Sequence, residues 1–364
     1  MHFDELLRTM VKRGGTDVYL KVDKTPILRI GDELTTLFSE ELSEDDMEKF
    51  ARLALGEERW ERFARQNEID VAYTVKDAGR FRLNVYWQRS TIAMAIRWVR
   101  TDISSFEKLN LPHVLKKISL FTKGLVLVTG PTGCGKSTTQ AVMIDHINRH
   151  RRCAIVTIED PIEFLHEDKL SVISQREVGI DTDTFPVAMK YVIRQNPDVI
   201  LIGEMRDAET FTAALSASET GHLVLSTLHT LDVVHSLDRI LDFFPQAKHH
   251  QIRAHLSMNL VAMTCQRLIA REDGKGLVPA VEIMITSPEI KKLIRESEMS
   301  KIPLVMQNDE RQEMQTLNGA LLKLVQQGLV SEEVALTTSI DPATLKMNLQ
   351  GIHLDEEKGI IGAE

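Results

Sequence analysis

The chain has 364 residues, 43% hydrophobic and 27% charged, and its 44 basic against 53 acidic side chains leave a net charge of −9. That length suits two domains of about 100 to 200 residues, and the composition excludes wholesale disorder and fibrous repeats. The acidic balance argues against a general polyanion binder, so nucleic acid is not expected as the main partner.

No apolar run approaches the roughly 18 to 20 residues that cross a bilayer, and no charged-then-apolar leader opens the sequence. The expectation is a cytoplasmic protein without a transmembrane segment. Cys134, Cys153 and Cys265 form no CxxC pair and are expected as reduced thiols.

In chain order, Phe3, Leu6, Leu7, Met10 and Val11 make the stripe of an amphipathic helix that Gly14 and Gly15 can end. Val18, Leu20 and Val22 alternate with polar neighbours, and Gly31-Asp32 after Ile27 to Ile30 suggests a hairpin. Ser43 with Asp46 can cap a second helix carrying Met47, Phe50 and Leu53. Strand-like runs follow at Ile69 to Val75, at Phe81, Leu83 and Val85, and at Ile92, Met94, Ile96 and Trp98. Their alternation places Arg80, Arg82 and Arg97 on the outward face, with Arg89 in the turn. Residues 1–100 thus read as a small α+β domain, and the polar, proline-bearing stretch 101–112 reads as a linker.

From Gly124 onward, short apolar runs without polar alternation stand at Leu125 to Val128, Ala154 to Ile158, Val199 to Ile202 and Leu223 to Leu225. Such runs suit strands buried on both faces, and their spacing leaves room for crossover helices, so this is an α/β domain. The domain is expected over 113–350, mostly helical from about Phe243, with a loose polar tail at 351–364.

Gly130-Pro131-Thr132-Gly133-Cys134-Gly135-Lys136-Ser137-Thr138 follows one of these strands and precedes a helix. Its glycines let backbone N–H groups converge on a β-phosphate, Lys136 reaches the β and γ oxygens, and the Ser137 hydroxyl can ligate Mg²⁺. ATP and Mg²⁺ are therefore the expected cofactors. The buried run after Asp198 ends in Glu204, an acid that either activates water or caps the next helix. Ala154 to Ile158 runs into Glu159, Asp160 and Glu163, a second acidic cluster expected at the carboxyl edge of a parallel sheet. His222 and His229 flank the run Leu223 to Leu225, and both are expected near that edge, as functional groups or as satisfied structural histidines.

With these four blocks the sequence resembles the secretion and type IV pilus ATPases, and within them the PilT and PilU twitching motility group, over about residues 1 to 340. The blocks match the family's Walker A (Gly130 to Thr138), Asp box (Thr157 to Phe164), Walker B (Ile202 to Asp207) and His box (Gly221 to Thr230). The resemblance implies a PAS-like N-terminal domain, a RecA-like ATPase domain, a homo-hexameric ring and an inner-membrane pilus platform protein as partner. It implies catalytic roles for Glu204, Glu163, His229 and Arg206, and nucleotide contacts from Glu159, Asp160 and His222. Ser137 and Glu163 are the implied Mg²⁺ ligands, and Arg80, Arg82, Arg89 and Arg97 the arginines that reach a neighbour's nucleotide.

The absence of a tetracysteine insert and of a long N-terminal extension favours retraction over assembly. The sequence departs from the family at Leu231 to Val234, and the family's retraction-linked Ala-Ile-Arg-Asn-Leu-Ile-Arg helix appears as Glu289-Ile290-Lys291-Lys292-Leu293-Ile294-Arg295, with the apolar spacing kept and the surface altered. Those departures motivate an alternative, an accessory ring or adaptor that assists a paralogous retraction ATPase. A nucleic-acid translocase on the same core is the third reading.

Overall fold

The structure, a computed structural model, describes residues 2–31, 33–308, 313–355 and 359–362. It divides into two compact units, Met1–Asp102 with Ile162–Leu165, and Ile103–Pro161 with His166–Glu364.

In the first unit, α1 (Phe3–Lys12) and α2 (Glu44–Gln66) accompany strands β1 (Asp17–Lys21), β2 (Ile27–Ile30), β3 (Glu33–Thr36), β4 (Glu68–Val75), β5 (Gly79–Gln88) and β6 (Thr91–Trp98). The strands form one sheet in the order β3-β2-β1-β6-β5-β4, with neighbours antiparallel throughout. Phe3, Leu6, Leu7 and Met10 are buried against alternate residues of the sheet, among them Leu20, Phe81, Leu83, Val85 and Ile96. The Ser43 hydroxyl accepts from the Asp46 amide while the Asp46 carboxylate accepts from the Ser43 amide, a reciprocal cap that fixes the start of α2. Gly56, at φ +68, interrupts that helix with a kink. The turn expected at Gly31-Asp32 is described only at Gly31, since Asp32 lies outside the described residues.

The second unit carries β7 (Gly124–Thr129), β8 (Ala154–Glu159), β9 (Val172–Glu177), β10 (Val199–Ile202), β11 (Leu223–Leu228), β12 (Leu260–Ala270) and β13 (Leu277–Ile285). They form one sheet in the order β13-β12-β7-β11-β10-β8-β9, parallel except for the antiparallel β12/β13 pair.

Alternation along the buried strands divides their side chains between two cores. Leu125, Leu127, Ile200 and Ile202 meet α5 (Phe185–Val192), α6 (Ala208–Glu219), α7 (Val233–Asp242) and α8 (His249–Asn259). Val126, Val128, Val199 and Leu201 meet α3 (Val114–Ser119) and α4 (Lys136–His150). Each strand residue so buried contributes about 1.5–3 kcal/mol, which is why these runs read as uninterrupted hydrophobic sequence.

Phe106 and Leu111, within the stretch read as a linker, are buried in the second of these cores. Helices predominate after Phe243 as expected, but β12 and β13 extend the sheet before α9 (Pro288–Glu296) and the helices that follow. Thr264, Gln266 and Glu282 interrupt their apolar character, yet all three are buried. The tail expected to be loose contains a two-stranded pairing of Ile352–Asp355 with Gly359–Gly362.

Glu282 accepts a hydrogen bond from the Val233 amide at the start of α7, 2.9 Å away. Burial pushes its carboxyl from the ordinary value of 4.5 up to about 7, against the lowering effect of that hydrogen bond and with the charge of Asp232 adding to the rise. Between those two values the folded protein keeps a proton that the unfolded chain has released, so stability falls as pH rises through this window and is flat above it. We expect a loss of about 3 kcal/mol across the window. Glu282→Gln keeps an acceptor but cannot ionise, and should lose that slope in denaturant midpoints measured from about pH 4.5 to 8.

Candidate functional site

Strand β7 hands the chain to Gly130 at the carboxyl edge of the parallel sheet. A Cβ at this glycine would lie 2.4 Å from the Gln266 carbonyl oxygen and 2.5 Å from Cys134 Sγ, and its φ is +144, so no other residue fits. Gly133 and Gly135 also take positive φ, +77 and +87, and Gly135 leads into α4. The loop Gly130 to Gly135 therefore joins strand to helix as the sequence predicts, with Ser137 and Thr138 in the first helical turn. Cys134 is buried within the loop, and burial pushes its thiol up.

Lys136 is 8% exposed and folds back over this loop. Its Nζ donates to the carbonyls of Gly130 at 2.9 Å and Pro131 at 3.0 Å, and lies 3.3 Å from His229 Nδ1. Thr132 Oγ1 is 3.4 Å from the same ring nitrogen. An ammonium can only donate, so Nδ1 accepts and the proton of the neutral ring sits on Nε2. That nitrogen is 3.2 Å from Glu204 Oε1, while Glu204 Oε2 pairs with Arg206 at 2.8 Å. Lys136, His229, Glu204 and Arg206 form one continuous chain of contacts.

Glu204 is placed by the turn after β10. The Gly203 amide donates to the Ile158 carbonyl at 2.8 Å, and the Thr227 hydroxyl donates to the Gly203 carbonyl at 2.7 Å, pinning the turn between β8 and β11. Burial acts to raise the Glu204 carboxyl, but the hydrogen bonds from Arg206 and His229 and the charge of Arg206 outweigh it and hold the carboxyl below its usual value. It remains ionised at neutral pH. The helix that follows is capped by Asp207, whose carboxylate accepts from the Thr210 amide at 2.7 Å, so capping is not the task of Glu204.

Glu159 ends β8 and accepts from Thr157 Oγ1 at 2.6 Å and Gln175 Nε2 at 3.1 Å. Asp160 joins Pro161 through a cis peptide bond and adds to the negative field around Arg206. Glu163 lies in Ile162–Leu165, which belongs to the first unit.

The expectation for His222 is corrected. This histidine precedes β11 at the amino edge of the sheet, where its carbonyl accepts from the Gly124 amide at 3.0 Å. Its Nδ1 is satisfied locally by the Ala217 carbonyl at 2.9 Å and Thr220 Oγ1 at 3.1 Å. The six residues of β11 separate it from His229 by about 20 Å. A residue before a strand and one after it cannot share an edge.

In the first unit, Arg82 and Arg97 stand opposite each other across β5 and β6. Carboxylates share that face: Arg97 pairs with Asp17 at 2.7 Å and Arg82 with Asp70 at 3.7 Å. Arg89 occupies a tight turn at φ +50, and Arg80 pairs across to Thr74. Sequence reasoning missed Gln266, whose only signal was an amide inside an apolar strand.

A family profile described as "Type II/IV secretion system protein" matches residues 100–337. The chain belongs to this family. Within it, the chain is 37% identical over 350 residues to "Type IV pilus ATPase PilU" of Pseudomonas aeruginosa, covering 96% of this chain and 92% of that protein. It is 38% identical over 335 residues to "Type IV pilus retractation ATPase PilT" of the same organism, covering 92% and 97%. The crystal structure of the pilus retraction motor PilT with bound ADP superposes with a TM-score of 0.87 at 40% identity, covering 94% of this chain and 98% of that one. This member of the secretion family is thus of the PilT and PilU type, with the fold of an α/β RecA-like ATPase domain preceded by an N-terminal domain.

The contact chain makes a prediction for this family member. His229→Ala leaves the phosphate loop and Glu204 in place but removes the group between them, so kcat for ATP should fall about 10- to 100-fold while nucleotide affinity changes less than about threefold, measured by steady-state kinetics and equilibrium binding.

Proposed function

We propose that the chain is a motor ATPase that couples ATP hydrolysis to retraction of type IV pili and so to twitching motility. The observation that carries the reading is the contact chain of Lys136, His229 and Glu204 at the carboxyl edge of the parallel sheet. The PilT and PilU relatives, matched over nearly their full length, support the same assignment.

In this reading the main-chain amides of Gly133 to Lys136 hold the β-phosphate. Lys136 exchanges the neutral carbonyls of Gly130 and Pro131 for charged phosphate oxygens, which bind an ammonium more strongly. Glu204, kept ionised by Arg206, accepts the proton of the attacking water. His229 touches both groups, and so links occupancy of the lysine to the position of the base. The hydroxyl of Ser137 and the carboxylates of Glu159 and Asp160 are hard oxygen donors of the kind Mg²⁺ requires, and Mg²⁺ bound with the nucleotide would neutralise charge on the phosphates. Arginines of the first unit, among them Arg82 and Arg97, supply positive charge to the nucleotide of a neighbouring subunit in a homo-hexamer. No helix among the described residues is long and apolar enough to cross a membrane. We place the ring at the cytoplasmic face of the inner membrane, docked on a pilus platform protein.

A second reading, an accessory ring that assists another retraction ATPase, is favoured by α9. Its Ile290, Leu293 and Ile294, which keep the apolar spacing, are buried, whereas the changed residues Glu289 and Lys292 are exposed and Lys291 is partly exposed, so the departure lies on the surface of this helix. The segment Leu231 to Val234 is less telling: Asp232 caps α7 and Val233 is buried, so these two residues start a helix.

Glu204→Gln should retain nucleotide binding and lose at least about 100-fold in kcat, because an amide cannot accept the proton. ATP turnover by the purified chain alone separates motor from accessory ring: turnover that arises only on adding a paralogous ATPase supports the latter. In cells, deletion should leave surplus surface pili with lost twitching, whereas bald cells would show assembly instead.

A further inference from the structure

We propose that Gln266 is a positioning residue that holds the phosphate loop in its binding shape from the neighbouring strand. The inference rests on reading that loop as the triphosphate cradle.

Gln266 lies on β12, 1% exposed, and its carboxamide is used at both ends. Its Nε2 donates to the Cys134 carbonyl, in the middle of the loop, at 2.5 Å. Its Oε1 accepts from the Thr139 hydroxyl, in the first turns of α4, at 2.9 Å. Its main-chain carbonyl is the atom that would lie 2.4 Å from a Cβ at Gly130. One residue thus touches the start of the loop, its middle and the helix that follows.

The consequence is geometric. A phosphate cradle binds through amides that converge, and convergence requires the loop carbonyls to point outward. The Cys134 carbonyl needs a donor on that outward side, and Gln266 supplies one where water is excluded. An unpaired carbonyl there would favour rotation of its peptide and turn the following amide away from the phosphate. Glutamine is suited because it donates and accepts from one planar group, whereas leucine does neither and a carboxylate only accepts.

The next residue faces the other way. Arg267 donates to the Thr338 carbonyl, at the end of a C-terminal helix, at 2.6 Å, and to the Leu231 carbonyl at 3.3 Å. Adjacent side chains of one strand therefore hold the phosphate loop on one face and the segment after His229 on the other.

The test uses the full chain, with a fluorescent ADP analogue for affinity, steady-state ATP turnover, and thermal unfolding to verify folding. Gln266→Leu should raise KM and the dissociation constant about tenfold or more while kcat changes less than about threefold, since binding is lost uniformly. Gln266→Glu should bind as weakly at about pH 8.5, but recover toward wild type near pH 6, because a buried carboxyl titrates above its usual value and, once protonated, regains a donor for Cys134. Thr139→Val, which removes a single hydroxyl, should weaken binding about threefold and add little to Gln266→Leu. Wild-type KM in Gln266→Leu, or a loss in Gln266→Glu that is the same at every pH, would overturn the proposal. Lys136→Ala run alongside separates the two ideas: if it binds nucleotide normally, the reading of the loop itself fails, and if it alone loses binding, only the clamp does.

Discussion

His229 stands between an ammonium and a carboxylate, and the organisation of the site depends on that placement. Lys136 can only donate and Glu204, when ionised, can only accept, so the ring between them is fixed as a neutral donor-acceptor with its proton toward the acid. Neither charged group can shift without changing what the ring can bond to. The lysine's other partners are the carbonyls of Gly130 and Pro131, which carry no charge. An anionic oxygen would compete well for the lysine against such partners, and the imidazole is in contact with both the lysine and the acid. Arg206 closes the far end, opposing the burial that acts to raise the Glu204 carboxyl.

That placement follows from parallel pairing. Ile202, Ser226 and Leu127 are neighbours in register across β10, β11 and β7. Glu204 is two residues beyond the first of these, His229 three beyond the second and Gly130 three beyond the third, so all three emerge at one edge. A slip of a single residue in any strand would reverse the faces of its side chains and break this alignment. The apolar runs that give the strands no polar alternation also secure their register, because each residue has a core to enter on its own side of the sheet.

Motif spacing made this part of the site readable before any coordinates. Glycines at fixed offsets after a buried strand announce a phosphate loop, and an acid after a second such strand announces a partner. The limits were equally physical. His222 and His229 bracket one short strand, and sequence proximity hides the fact that a strand carries its two ends to opposite edges of a sheet. β9 was missed because an edge strand faces solvent and keeps polar residues such as Ser174, Gln175 and Arg176. β12 was missed for a different reason. Its polar residues Thr264 and Gln266 broke the apolar run that marked the other strands, although burial left both nearly inaccessible. Whether Glu204 caps a helix was undecidable from its position alone, and was resolved only by Asp207 three residues on.

One of these two polar interruptions, Gln266, suits β12 to its place beside β7. A strand next to the phosphate loop cannot be wholly apolar, since the loop's carbonyls turn outward and need donors where water has no access. Gln266 meets that need on one face and, by the two-residue period of a strand, Arg267 is directed to the other, toward Leu231 and Thr338. A displacement of the loop is therefore opposed by a strand whose opposite face is bonded to the C-terminal helices. Movement at the nucleotide must either stretch these hydrogen bonds or carry the helices with it. Each bond is worth about 1 kcal/mol net, small against the binding energy of a nucleotide, so the second course is open to a motor that spends nucleotide energy on moving its own parts.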